Sequence, residues 1–536
     1  MTGMTDRRDG TAEDDRRSFA SRTPANANPD QVTYRRGFVT RHQVSGWRFV
    51  MRRIAAGVAL HDTRMLVEPL RTQARAVLMG VLVLATAAAG CFVFTLIWPS
   101  GSAGNDPVLA DKSTAALYVR LGDELHPVLN LTSARLIVGR PVNPTTVKSP
   151  ALDKFPRGNL VGIPGAPERM VQSAGRDADW TVCEGIAGPA AGVTVIAGPP
   201  DSGGARAAVL EPQHAVLASN GADDWLLWNG KRSRIDLADR AITTALGLGT
   251  EVARPRPISA GLFNAIPESP ALTAPVIADA GQPPNFDLPV AAPVGAVVEA
   301  FALNEPSATA MRYYAVLPDG LQPISGVLAA VLRNTDSHGL DRPPRLGADD
   351  IAKLPVSRAL DTARYPDGQI TLADPVRNPI SCAHWSKPAG ASTSSLTLLA
   401  GSALPLPESA HTLDLVGAAT GSTAHRVALA PGTGYFVQSV GGHPTADSAG
   451  SLFWVSDTGV RFGLDTETDT AVGGQPKTVS ALGLQQPALP IPWAVLSLLA
   501  PGPALSRGDA LLAHDGLAPD QRPGRRAVTA NVGETR

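Results

Sequence analysis

Cys183, in DWTVCEG, and Cys382, in NPISCAHW, are the side chains best suited to chemistry in this chain, and His384 stands two residues beyond the second. Thiols beside an imidazole invite a metal, but two Cys and one nearby His are too few and wrongly spaced for a structural zinc site. In an oxidising compartment two lone cysteines generally pair. The bridge would close a loop of about 200 residues, for which chain-entropy models give about 4 to 5 kcal/mol. The alternative is two separately buried thiols. The third cysteine, Cys91, falls in an apolar run and reads as a small apolar filler.

Other chemistry finds less support. A phosphate-cradling loop needs GxxxxGK[ST], so that glycine amides and a lysine can reach the phosphates. The one Gly-Lys pair is Gly230-Lys231, followed by Arg232 in a predicted hairpin turn. LGLGTE, at 246–251, follows a helical run instead of opening one, which predicts a helix C-cap. HExxH, GxSxG and SxxK do not occur. DSHGLD, at 336–341, pairs acids with a histidine in a polar loop and reads as a solvated face. Trp225, Trp228, Trp385 and Trp454 could stack on sugars if exposed, but the sequence favours them as core residues. Asn130-Leu131-Thr132 matches a glycosylation pattern by chance frequency alone.

The elements that must hold these residues are set by one stretch. From Ala76 to Trp98 run 23 residues without a charge. At about 1.5 Å per residue this helix covers the roughly 30 Å of a bilayer core. It begins too late for a cleaved signal peptide, so it reads as an uncleaved anchor. Between Tyr34 and Arg75 there are nine Arg against Asp62 and Glu68, whereas Pro99 to Ala110 holds only Asp106. The positive-inside rule then predicts a cytoplasmic N-terminal arm and an exported remainder. That topology is what makes pairing of Cys183 with Cys382 reasonable. A net charge of -1 over 536 residues gives no electrostatic appetite for nucleic acid. Gly and Pro are plentiful (52 and 47), which predicts short elements between Pro-rich joints.

The predicted organisation is α+β. Residues 1–33 are a disordered start, 34–75 a basic amphipathic region, 76–98 the membrane helix, 99–500 an exported repeat and core domain, and 501–536 a C-terminal wrap and loose tail. In the basic region Ser45 is a candidate cap. Trp47, Val50, Met51, Ile54 and Val58 then share one helix face, and Arg48, Arg52 and Arg53 lie off it. Such a helix rests on an anionic inner leaflet or on a partner helix, and the sequence does not choose. Beyond the membrane a weak repeat begins at Leu117, Asp224, Arg312 and Leu452. Each unit has an aliphatic or aromatic run, a turn (around Gly122, Gly230, Gly320 and Gly459), a second short strand and a helical stretch. A hairpin with one short helix cannot bury its own apolar face, so the units must pack on neighbours and a shared body. TVIAG and GAVVEAFAL are predicted strands of that body, and IPWAVLSLLAPGPALSR a segment clamped onto it.

The juxtamembrane stretch TRHQVSGWRFVMRRIAAGVALHDTRMLVEPLRTQARAV, the span, the four units, the exported cysteines and IPWAVLSLLAPGPALSR together resemble the EccB component of type VII (ESX) secretion systems of mycobacteria and related actinobacteria. RRSFASRTP and YRRGFVTRHQ look most like the paralogue of the metal-acquisition ESX system. The resemblance covers nearly the full chain. It implies a structural subunit of a membrane-embedded secretion complex with EccC, EccD and EccE. It also implies an elongated, propeller-like periplasmic assembly of repeats, dimers or higher oligomers, and contact with the MycP protease. The family's ATPase label implies ATP, but these residues offer it no motif; no other cofactor and no metal are predicted. A cell-wall-binding module is the remaining alternative.

Overall fold

The structure, a computed structural model, describes residues 40–61, 69–97, 103–249, 253–301, 311–417, 423–445, 450–465 and 476–517. It divides into two compact units, Met1–Pro99 and Ser100–Arg536. The predicted disordered start and the tail from Ala518 lie outside the described residues, as does the Trp98-Pro99 helix stop.

Among the described residues of Met1–Pro99 there are two helices. α1 spans Arg41–Leu60 and is capped by Thr40, not by Ser45. The reason is a reciprocal pair that one serine cannot supply. Thr40 accepts from the Gln43 amide at 3.4 Å, and Gln43 accepts from the Thr40 amide at 3.0 Å, which satisfies two otherwise orphaned donors. Ser45 lies inside the helix and returns its hydroxyl to the His42 carbonyl at 2.9 Å. At the other end His61 takes a left-handed conformation and closes on Gly57. α2 spans Pro69–Ile97, with proline at the first helical position, where its missing N–H costs nothing. Gln73–Phe94, 22 residues within α2, is long and apolar enough to cross a membrane. Thr86 donates its hydroxyl proton back to the Leu82 and Val83 carbonyls. That hydroxyl is thereby satisfied inside its own helix.

The second unit is built on a mixed seven-stranded sheet. In order, its strands are Leu413–Asp414, Arg426–Ala428, Gly192–Ala197, Ala178–Gly185, Ile380–Lys387, Ser395–Gly401 and Ala208–Val209. Around it lie four smaller sheets with a common plan: three antiparallel strands in sequence, a helix, and a short strand returning parallel to the first. The hairpins read from the sequence supply the second and third strands of each. Their helices are Leu131–Val138, Arg240–Ala245, Gly326–Thr335 and Lys477–Leu482. The four are called units one to four here in chain order. No closed propeller is found among the described residues.

GAVVEAFAL is not a strand of the body. Val297–Phe301 opens unit three, pairing with Met311–Leu317 on one side and Arg345–Leu346 on the other. It reads as a central strand because both its faces are covered. Val297 packs with the core shared by units two and three, while Ala296 and Val298 pack in a separate cluster.

The cores are shared between neighbours. In unit two Trp225 and Leu227 face the central sheet, and Leu226 and Trp228 face unit three. In unit four Val437 and Val455 join the central cluster, and Phe436 and Trp454 join unit one. Both cases follow from the period of two along a strand covered on both sides. The C-terminal segment completes the packing. Leu489–Pro492 and Ala500–Pro501 add to the unit-four sheet, Val495, Leu496 and Leu499 enter the central cluster, and Leu505 enters the cluster of units one and four.

Candidate functional site

The two exported cysteines meet on the central sheet. Ala178–Gly185 and Ile380–Lys387 run antiparallel with Cys183 directly opposite Cys382, and the two form a disulfide across a sequence separation of 199. Both are buried. Alternation along the paired strands divides their faces. Trp180, Val182, Ala383 and Trp385 point into the central apolar cluster, whereas Asp179, Thr181 and Cys183 face Ser386, His384 and Cys382 on the other side. The second face is a polar ladder that ends in the covalent staple.

His384 belongs to this ladder. Its Nδ1 shares a 2.9 Å hydrogen bond with the Thr181 hydroxyl, and its Nε2 lies 3.4 Å from an Asp179 carboxylate oxygen. Burial pushes its pKa below the ordinary imidazole value, and the nearby Asp179 charge offsets part of that. With both thiols spent in the disulfide, the Asp179 carboxylate is what His384 has beside it, and one carboxylate with one imidazole falls short of a structural metal set. Among the described residues no group of three His, Cys, Asp or Glu side chains is placed to hold an ion.

Buried charge ties the stapled strands to unit two. Arg256, on the strand Arg256–Pro257, donates to the Ser381 hydroxyl at 2.7 Å and to the carbonyls of Asn378 (2.9 Å) and Ala373 (3.3 Å). On the neighbouring strand Glu184 accepts from the Ser259 amide with both oxygens, at 3.0 and 2.9 Å. Burial raises the Glu184 pKa, against the hydrogen bonds that favour its charged form. Residues 256–259 are therefore held on both sides of the disulfide by groups that cannot be removed without leaving a buried partner unpaired.

The Gly-Lys pair is committed to folding. Gly230 sits at a φ of +71° in the hairpin Asp223–Ile235, and a Cβ there would lie 2.3 Å from the Leu396 carbonyl oxygen of the central sheet. Lys231 donates to the Ala363 carbonyl at 2.6 Å, and its ammonium lies 4.0 Å from the Trp228 ring centroid. In LGLG, Gly247 ends the helix Arg240–Ala245. The Gly247 amide bonds the Thr244 carbonyl and the Leu248 amide the Thr243 carbonyl, the crossed pair of a Schellman cap. Trp225, Trp228, Trp385 and Trp454 are all buried, so none offers a ring to a sugar. Asn130 caps Leu131–Val138 and is itself buried, donating to the Ile163 carbonyl.

A cavity of about 580 Å³ opens between residues 172–176, 387–391 and 485–490. Its wall carries Arg176 and Lys387 but no carboxylate, imidazole or thiol. Such a wall can hold a ligand by cation and amide contacts, yet it supplies no acid–base pair. The candidate residues of α1 are brought together as a surface: Trp47, Met51 and Ile54 are exposed on one face, and Arg48, Arg52 and Arg53 are exposed beside it.

One bilayer-length apolar helix, followed by a stapled body of sheets that share their cores, describes a membrane-tethered scaffold protein. The chain belongs to the EccB family: the family model "Type VII secretion system ESX-1, transport TM domain B" matches residues 36–519. A relative from Mycobacterium tuberculosis (strain ATCC 25618 / H37Rv), named ESX-3 secretion system ATPase EccB3, is 68% identical over 520 residues, covering 95% of this chain and 96% of its own. A chain from a solved EccB3 dimer of the ESX-3 core complex is 59% identical with a TM-score of 0.68, covering 76% of this chain and all of that one. A chain from the intact ESX-5 inner membrane complex is 36% identical with a TM-score of 0.71, covering 92% and 99%. The chain thus sides with the ESX-3 members of the family.

Proposed function

We propose that this protein is a structural subunit of an ESX-type type VII secretion complex. α2 crosses the cell membrane, the N-terminal arm is cytoplasmic, and the stapled body lies on the periplasmic side, where copies of it associate. EccC, EccD and EccE are its membrane partners in this reading, and MycP a periplasmic one. The observation that carries the proposal is similarity, from end to end of the described body, to chains whose solved structures are an ESX inner membrane complex and an EccB3 dimer. The orientation is supported by the Arg-rich flank before α2 and by the disulfide, which persists in oxidising compartments. The reading is of a scaffold and not of a nucleotide hydrolase, because Lys231 and Gly230 are used in a hairpin contact.

The test is extraction from cell membranes in mild detergent, followed by native electrophoresis and mass spectrometry of the co-migrating band. The expected result is a megadalton-scale species containing the other membrane subunits. Migration as an isolated monomer from cells that contain an intact ESX system would overturn the proposal. Reporter fusions at residue 517 test the orientation separately.

A further inference from the structure

α1 carries an apolar stripe without cover. Val44, Trp47, Val50, Met51, Ile54 and Val58 fall within about a third of the helix circumference at 3.6 residues per turn, and all six are exposed, Trp47 by 65% and Val58 by 75%. The one buried residue of the helix, Ala56, lies on the opposite face, so whatever covers it leaves the stripe clear. Along one border Arg41, Arg48 and Arg52 form a single file, and Arg53 stands on the other flank. α1 contains four Arg and one His and no acid. Like-charged side chains set beside a bare apolar stripe fit a surface that is apolar below and anionic above.

We propose that α1 is an in-plane lipid-binding helix, its stripe seated in the acyl boundary of an anionic leaflet and its arginines on the headgroup phosphates. The inference rests only on α2 spanning the membrane. From Leu60 to Pro69 the chain has nine Cα steps, which reach about 30 Å at full extension. α1 is therefore tethered close to the bilayer surface, and its docking there is intramolecular. Trp47, in the first half of the helix, is a side chain that favours the membrane–water boundary. Complementary charge selects a lipid over a second helix: a protein partner would have to bring several carboxylates to answer the same four arginines.

The test uses the full chain in nanodiscs of phosphatidylcholine with or without phosphatidylglycerol. In a Cys91→Ala background the disulfide-bonded cysteines stay silent, and single nitroxide labels are placed through Met51→Cys, Ile54→Cys, Val58→Cys and, off the stripe, Ser45→Cys. Collision with a water-soluble nickel chelate should fall several-fold at 51, 54 and 58 relative to 45 when phosphatidylglycerol is present. Arg48→Gln with Arg52→Gln should restore most of the collision rate while leaving the label mobility helical. Equal nickel access on both faces in both lipids overturns the proposal. So does stripe protection that is equal with and without phosphatidylglycerol and unchanged by Arg48→Gln with Arg52→Gln, because it takes the anionic headgroups out of the contact. Both leaflets of a disc are alike, so either failure leaves the membrane topology of the body untouched.

Discussion

At the scale of residues, the polar ladder of the central sheet makes two separable predictions. The first concerns the staple. Its loop of 199 residues encloses units two and three, so breaking it frees a long segment of the unfolded chain. Cys183→Ala with Cys382→Ala should lower the unfolding free energy by about 3 to 5 kcal/mol, and reductant should then have no further effect. Denaturant titration of wild type and variant, each with and without reductant, measures this; a variant as stable as the oxidised parent removes the claim. The second concerns His384. An imidazole whose folded pKa lies below its unfolded value binds fewer protons folded than unfolded, so the fold loses stability as pH drops below the ordinary 6.5. His384→Gln should flatten that loss, and Asp179→Asn, which removes the offsetting charge, should steepen it. Glu184 acts in the opposite sense, costing stability as pH rises past its ordinary 4.5, and is common to both variants. Stability curves of variants that coincide with wild type between pH 7 and acid would refute the role given to His384.

At the scale of elements, turns decide which glycines matter. Gly221 and Gly230 both sit at left-handed φ (+66° and +71°), but a Cβ at 221 meets nothing within 4 Å, whereas at 230 it meets the Leu396 backbone at 2.3 Å. Gly221→Ala should cost about 1 kcal/mol, the ordinary penalty of the left-handed region. Gly230→Ala should cost about 2 kcal/mol more, because backbone and not a flexible side chain must move. Equal melting shifts in the two variants would contradict that contact. The same turns explain what could be read in advance. NG, DG and TG at strand ends announced the hairpins, and 23 uncharged residues announced α2. The return strands Arg256–Pro257 and Arg345–Leu346 were illegible, because two residues carry no periodicity. The capping box at Thr40 had a signal, Thr-x-x-Gln, that the reading of Ser45 as the cap missed. The polar ladder had a signal too, period two in ADWTVCEG, visible only once CAHW is placed in register beside it.

At the scale of the whole molecule, the body is a relay of shared cores: units three and two share one, two and four meet at the central sheet, and four and one share another. The sequence announced four units that could not bury themselves, but not which neighbour each would use, since that is set by pairings hundreds of residues apart. Sharing of this kind predicts that damage travels in pairs. Trp454 is buried among Val119, Leu136 and Phe436, all in units one and four. Trp228 is buried among Ile242, Val297 and Leu328, all in units two and three. Truncating either to Ala removes a large buried ring and costs about 3 to 5 kcal/mol. Local opening is governed by the stability of the cluster involved, not by the global value. Hydrogen exchange of Trp454→Ala should therefore quicken in residues 117–138 and 435–464 together, with 214–235 and 311–335 kept near wild type. Trp228→Ala should give the reciprocal pattern. Uniform acceleration over the body in both variants would mean that the clusters melt as one, and the relay would then have no energetic meaning.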